Sequence, residues 1–180
     1  HAGTERPNTI VNLEKMNVDK INNFFSEIGL SQLKKLILDE ECAEYDGCTF
    51  VLNNCVVKYR KTKVTPKKIG QFVTLWKRDL SNKTVPFDEK DNFDFYLMFS
   101  EDETRQGFFF FPKKLLVEKH ILSSQNREGK RGFRVYPVWD LPISKQAMRT
   151  KLWQNDYFID LTKGNELSKN TEKFRQLFGE

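Results

Sequence analysis

The chain is poor in the side chains that carry most metal and nucleophile chemistry. It has two His, His1 and His120, so a His-rich metal centre cannot be assembled. A Ser-His-Asp triad would have to use His120, and no nucleophile motif stands near it. Three Cys occur, Cys42, Cys48 and Cys55. Their number is odd and their spacings match no zinc pattern, so they read as reduced thiols on or near strands in a reducing cytoplasm. No apolar run approaches about 18 residues, which excludes a spanning helix and removes a membrane as partner. No charged segment followed by an apolar stretch opens the printed sequence, so a secretion signal is not expected and a cytoplasmic location is. Internal repeats and low-complexity tracts are also lacking.

What the chain has in quantity is phenylalanine. Sixteen Phe among 180 residues, with 38% hydrophobic and 31% charged residues, supply one compact core, since each large ring removes roughly 150–250 Å² from water. Residues 1–12 are polar and aperiodic and read as a flexible N-terminal arm or tag remnant, leaving 13–180 as a single domain. Asn17 or Asp19 starts a helix burying Ile21, Phe24, Phe25 and Ile28, with Gly29 as its stop. Ser31 reads as the cap of a second helix burying Leu33, Leu36 and Ile37 and running to about Ala43. Strands are expected at 48–52, 55–63, 72–77, 93–99, 107–111 and 133–136. Asn53-Asn54 turns the first pair into a hairpin. Helices are expected after Pro112, from Ser144 to about Tyr157, and over 171–178. The four consecutive Phe at 108–111 fit only a strand covered on both faces. This order predicts an α/β (α+β) sandwich with a mixed central sheet flanked by helices.

Charge is distributed unevenly. The net excess is only +5, but the window KYRKTKVTPKKIGQFVTLWKR (58–78) holds Lys58, Arg60, Lys61, Lys63, Lys67, Lys68, Lys77 and Arg78 and no acid. A second cluster holds Arg127, Lys130, Arg131 and Arg134, followed by Lys145, Arg149 and Lys151. Lys and Arg neutralise phosphates, and the interleaved Tyr59, Trp76 and Tyr136 offer faces for bases. The plain alternative is a solvated edge strand, where Lys blocks pairing. A surface made only to be soluble mixes signs, and this window does not. The expected partner is DNA or RNA, held in a basic trough if the two clusters meet.

The acids Asp88, Glu89, Asp91, Asp94, Glu101, Asp102 and Glu103 form no EF-hand or other strong metal pattern. Most read as solvated. Asp94 differs, because it interrupts an apolar strand and a buried carboxylate needs a partner. Lys113, at the end of the Phe-rich strand, is placed to supply one.

The segments GQFVTLWKR (70–78), PFDEKDNFDFYLMFS (86–100), GFFFFPKKLLVEKHIL (107–122), GKRGFRVYPVWD (129–140) and SKQAMRTKLWQNDYF (144–158) resemble, in order, the bacterial MepB family, which is associated by name with multidrug-efflux operons. The resemblance implies a restriction-endonuclease-like fold, whose enzymes carry an Asp on one core strand and an acid-x-Lys pair on the next. Carried over, Asp94 takes the Asp position, Lys113 the Lys position, and Glu44 or Glu40 an acid on the first helix. The acid of the pair falls on Phe111, which binds no metal. The resemblance therefore implies a degenerate site: a non-catalytic nucleic-acid-binding protein of low sequence specificity, with no resident cofactor or metal. Two alternatives remain. One is a Mg²⁺-dependent nuclease using Asp94, Lys113 and Glu44. The other is a protein-interaction module linked to an efflux system and docking through Trp139.

Overall fold

The computed structural model describes residues 18–30, 33–162, 164 and 166–179. The expected arm at 1–12, Asn17 and the Ser31 cap lie outside the described residues. Helix α1 (Val18–Glu27) buries Val18, Ile21, Phe24 and Phe25 on one face, as the three-and-four spacing predicts, and Gly29 follows it with a φ of +79°.

The second expected helix is not formed. Residues Lys34–Leu38 make strand β1, followed by a short 3-10 segment, Glu40–Tyr45. Apolar spacing over so short a run does not separate helix from strand. Pairing decides it: β1 lies antiparallel on the otherwise open edge of β2 (Cys48–Leu52), and Lys35 takes a φ of 53° where the register shifts between Lys34 and Ile37. β2 turns through Asn53 and Asn54, both with positive φ, into β3 (Cys55–Lys61), the expected hairpin.

β3 pairs in parallel with β8 (Phe95–Glu101), β8 pairs antiparallel with β9 (Gln106–Pro112), and β9 with β11 (Phe158–Asp160). The result is a mixed six-stranded sheet in the order β1-β2-β3-β8-β9-β11. Strands β8 and β9 are central and apolar on both faces. Phe95, Leu97, Phe99, Phe108 and Phe110 point to one core, closed by α1 and by α4 (Leu167–Phe178). Tyr96, Met98, Phe109 and Phe111 point to the other. All four consecutive Phe are fully buried.

The second core is closed differently. Helix α2 (Lys113–Glu118) contributes Leu115 and Leu116, and α3 (Lys145–Asn155) contributes Trp153. The second core is also covered by the loop residues Phe87, Phe93, Ile121 and Leu122 and by a small sheet in the order β10-β5-β4, made of Gly132–Val135, Lys68–Thr74 and Lys63–Thr65. The strand expected at 133–136 forms as β10, outside the main sheet. β10 does not return to the main sheet after α2 but pairs antiparallel with β5. The expected strand at 72–77 is likewise split into β5 and β6 (Trp76–Arg78), the latter paired with β7 (Thr84–Pro86).

The chain passes from large to small sheet through Thr62. Its buried hydroxyl donates to Gln71 Oε1 at 2.5 Å and meets Ser100 Oγ at 2.7 Å, and Gln71 Nε2 donates to Glu101 O. The free edge of β10 is capped by a side chain. Gln154 Nε2 donates to Arg134 O, and Gln154 Oε1 accepts from Tyr136 N at 2.9 Å. A buried amide thus satisfies the groups a further strand would have paired. No helix among the described residues is long and apolar enough to cross a membrane.

Phe174 ties α4 to the first core, with its ring against Phe24, Phe25, Phe108, Phe110 and Phe178. Phe174→Ala is expected to lower the unfolding free energy by about 3–5 kcal/mol, read from the midpoint shift in a urea titration at unchanged slope.

Candidate nucleic-acid interface

Register assigns the faces of the small sheet. Lys63 and Arg134 both lie opposite Phe72, so these three share a face. Alternation adds Lys68, Gly70 and Tyr136 to it. The opposite face carries Val73, Phe133 and Val135 into the second core. The outward face is therefore cationic and aromatic, with no acid in its strands. Arg134 is held across it, with Nη2 on Thr65 Oγ1 at 2.8 Å and Nη1 near Gly70 O at 3.4 Å. Tyr136 lies flat on Gly70, where a Cβ would sit 2.7 Å from the ring. The two basic clusters meet a second time at the end of the sheet: Arg131 Nη2 donates to Thr84 O, and Thr84 is the cross-strand partner of Arg78.

The clusters do not contribute all their cations. Arg60 is 2% exposed, and its guanidinium donates to Asp39 Oδ2 at 2.6 Å and to Tyr59 O. Lys58 lies beside it, 3.5 Å from Asp39 and over the Phe87 ring. Burial pulls the Lys58 pKa below its ordinary value, with Asp39 opposing. Both were expected at the interface. Both instead lie on the second-core side of β3, Arg60 buried and Lys58 half-buried, and both pair with Asp39. The same burial, reinforced by Asp39, pushes the Cys48 thiol up to about 12, which makes it a packing residue rather than a nucleophile.

Lys61 pairs with Glu101 at 2.7 Å and Lys77 with Asp91 at 2.5 Å. Lys63 is 3.8 Å from an exposed Glu44, and Arg131 is 2.9 Å from an exposed Glu128. Exposed pairs of this kind are weak and separate easily. Lys67, Lys68, Arg78, Lys130 and Arg134 have no ion pair among the described residues.

The expected metal residues do not converge. Asp94 is exposed rather than buried, at the head of β8, where its carboxylate accepts from Val56 N at 2.7 Å. Lys113 is its backbone neighbour, donating N–H to Asp94 O at 3.0 Å. The Lys113 ammonium, however, bonds Asp91 O and lies over the Phe93 ring. Glu44 sits beyond the opposite end of β3, against Lys63. Glu40 is exposed, and Phe111 is sealed in the core. No group of three potential ligands could hold a metal ion among the described residues. Trp139, expected as a docking aromatic, packs edge-on against Phe158 and is covered by Arg105.

Two acids were missed as organisers. Asp39 pairs with both Arg60 and Lys58. Asp91 binds Lys77, accepts from Asp88 N at 2.7 Å and offers its carbonyl to Lys113. Both lie in irregular segments, where no periodicity reports burial.

Residues 39–160 match the MepB-like family. The chain belongs to that family. A crystal structure of MepB superposes with a TM-score of 0.73 at 34% identity, over 82% of this chain and 98% of that one. The structure of a bacterial homing endonuclease is more distant, with a TM-score of 0.46 at 15% identity over 81% of this chain and 90% of the other. None of the curated proteins compared matches the chain. Within the MepB-like segment lie every strand of the basic face and the Asp39 carboxylate that neutralises Arg60.

Asp39→Ala is expected to cost about 3 kcal/mol, because it strands a buried guanidinium; chemical denaturation measures it. Glu101 gives a pH signature. Burial opposes its carboxylate, but Lys61 and Lys20 outweigh that and hold its pKa below the ordinary 4.5. A depressed carboxylate contributes stability above its unfolded value that is lost as pH falls through its folded value. Glu101→Gln should therefore weaken the fold near neutrality and reduce the loss of stability on acidification below 4.5, as followed by thermal melts across that range.

Proposed function

We propose that the protein binds nucleic acid through the outward face of the β10-β5-β4 sheet, contacts the phosphate backbone with little regard to sequence, and does not cut it. The observation that carries this reading is the row Lys63-Phe72-Arg134 with Lys68 and Tyr136 beside it. It is flanked by Lys67, Arg78, Lys130 and Arg131. Cations on a rigid sheet supply phosphate contacts without a code for base edges. The half-buried Phe72 adds ring surface for unpaired bases. Low specificity follows from this chemistry, since the face presents no Asn, Gln or acid to read a groove edge, Gln71 of β5 being buried against Thr62.

The divergence of the Asp94, Lys113 and Glu44 side chains supports binding without cleavage. Phosphodiester hydrolysis by metal ions needs carboxylates converging on the metal, and here Asp94 is engaged by Val56 N at the start of β3 while Glu44 lies beyond its other end, against Lys63.

Fluorescence anisotropy with duplex DNA, single-stranded DNA and RNA tests the reading. Affinity is expected to fall steeply with salt, and a triple substitution Lys67→Gln, Lys68→Gln, Lys130→Gln should reduce the slope of log K against log salt by about 2–3. Failure of all three nucleic acids to bind at low salt would overturn it. Incubation of plasmid with Mg²⁺ or Mn²⁺ should leave it intact; cleavage that disappears in Asp94→Ala would restore the nuclease alternative.

A further inference from the structure

Helix α3 is set on the domain with its polarity reversed. Its one fully buried side chain is the polar Gln154, bonded to the edge of β10, with Trp153 half-buried beside it. Its two large aliphatic side chains, Met148 and Leu152, are exposed, Leu152 at 76%. A helix held by one domain alone turns its apolar stripe toward that domain's core.

The apolar row continues upstream of the helix. Ser144 caps α3 through Ala147 N at 3.1 Å, which puts Ile143 just before the cap and Met148 in the second turn. Those two positions are surface neighbours on a capped helix, and Leu152 follows Met148 by one turn. Ile143 is 82% exposed. Alongside runs the turn that holds Val138 and Leu141, both exposed. The Lys151 ammonium ties this turn to α3, donating to Val138 O at 3.0 Å and to Asp140 O at 2.7 Å. Five exposed large apolar residues thus gather between Val138 and Leu152. Among the described residues, no other stretch of that length holds more than two. Exposed apolar residues that stand singly need no explanation, but a gathering of this kind marks an interaction surface.

Charge decides the occupant. α3 contains no acid. Lys145 and Arg149 are exposed, one turn apart along one flank of the row, and neither has an ion pair among the described residues. Lys145 stands in the first turn, where the helix dipole disfavours a cation. A second copy of the chain would bring another cationic flank and no α3 acid to meet it, and like charges set together oppose association. A bilayer surrounds a patch with headgroups on all sides, yet the cations here line one flank, because the Lys151 ammonium on the other is held by carbonyls. A partner helix presents a single charged edge beside its apolar stripe, and flanking charges then set partner choice. We infer that the outer face of α3 docks an acidic amphipathic helix of another protein, with its apolar stripe on Ile143, Met148 and Leu152 and its carboxylates against Lys145 and Arg149. None of these residues belongs to the proposed nucleic-acid face, so the two readings stand or fall separately.

The test uses the full chain and a labelled synthetic helix with Leu along one stripe and Glu along its flank. The control peptide has Lys in place of each Glu. Fluorescence anisotropy at moderate salt is expected to show saturable binding of the acidic helix, at least about tenfold tighter than the control. Leu152→Glu and Ile143→Glu should each abolish it, and both positions are exposed, so thermal melts should stay unchanged. Lys145→Glu combined with Arg149→Glu should reverse the preference toward the basic helix, which loss of fold could not do. Failure of the acidic helix to saturate, equal binding of the two helices, or a preference unmoved by the double variant would overturn the inference. In that event, self-association that Leu152→Glu abolishes, seen by sedimentation, would give the face to a second copy. Retention on phosphatidylglycerol vesicles that the same variant abolishes would give it to an anionic bilayer.

Discussion

Strand β9 cannot be exposed on either side. Four consecutive phenyl rings, Phe108 to Phe111, alternate between the two faces of the large sheet, and each face must be covered. Helices α1 and α4 close the first face with Phe24, Phe25 and Phe174. The second face is closed by α2, part of α3 and a second sheet. That second sheet has one side in the core and the other in solvent, so its strands alternate. The solvent side carries Lys63, Lys68 and Arg134. The cationic surface is thus a consequence of how the second core is covered, and its rigidity comes from Val73, Phe133 and Val135 behind it.

The boundary between the two sheets explains why the basic window divides. β3 is a strand of the large sheet, and its side chains on the second-core side point inward as long as it stays there. Lys58 and Arg60 fall in that stretch and require Asp39. After Thr62 the chain belongs to the small sheet, and Lys63, Lys67 and Lys68 are exposed. A run of like charges in the sequence therefore contains two populations. One lies inside against Asp39, and the other is exposed on the small sheet. The switch between them is the Thr62-Gln71-Ser100 cluster, a set of neutral polar groups that satisfy one another where the strand changes partners.

Several of these features were legible in the sequence. The Phe run predicted a doubly covered strand, Asn53-Asn54 a hairpin, and the spacing of Ile21, Phe24, Phe25 and Ile28 a buried helix face. These signals are local, and local geometry satisfies them. The failures share a different cause. Whether residues 34–38 form a helix or a strand depends on an unpaired edge of β2 that lies beyond them in the chain. Whether β10 joins the main sheet or a second one depends on β5, about sixty residues earlier (Phe133 opposite Val73). Burial of Lys58 and Arg60 depends on Asp39, which sits in an irregular segment. The same limit applies to the carried-over carboxylates: Asp94 and Lys113 do meet through their backbones, but the Lys113 ammonium turns to Asp91 O. Residue spacing sets which positions are neighbours and leaves open which of several partners a long side chain takes.

Arg134 is fixed from two sides, its guanidinium on Thr65 and near the carbonyls of β5, and its own carbonyl on Gln154. The exposed Lys67 and Lys68 have no such anchors. On the proposed reading these two kinds of cation divide the work: a fixed guanidinium cannot turn to suit one base edge over another, and long exposed lysines can follow a phosphate backbone wherever it runs. Low specificity would then follow from the side-chain anchoring that also ties the small sheet to α3.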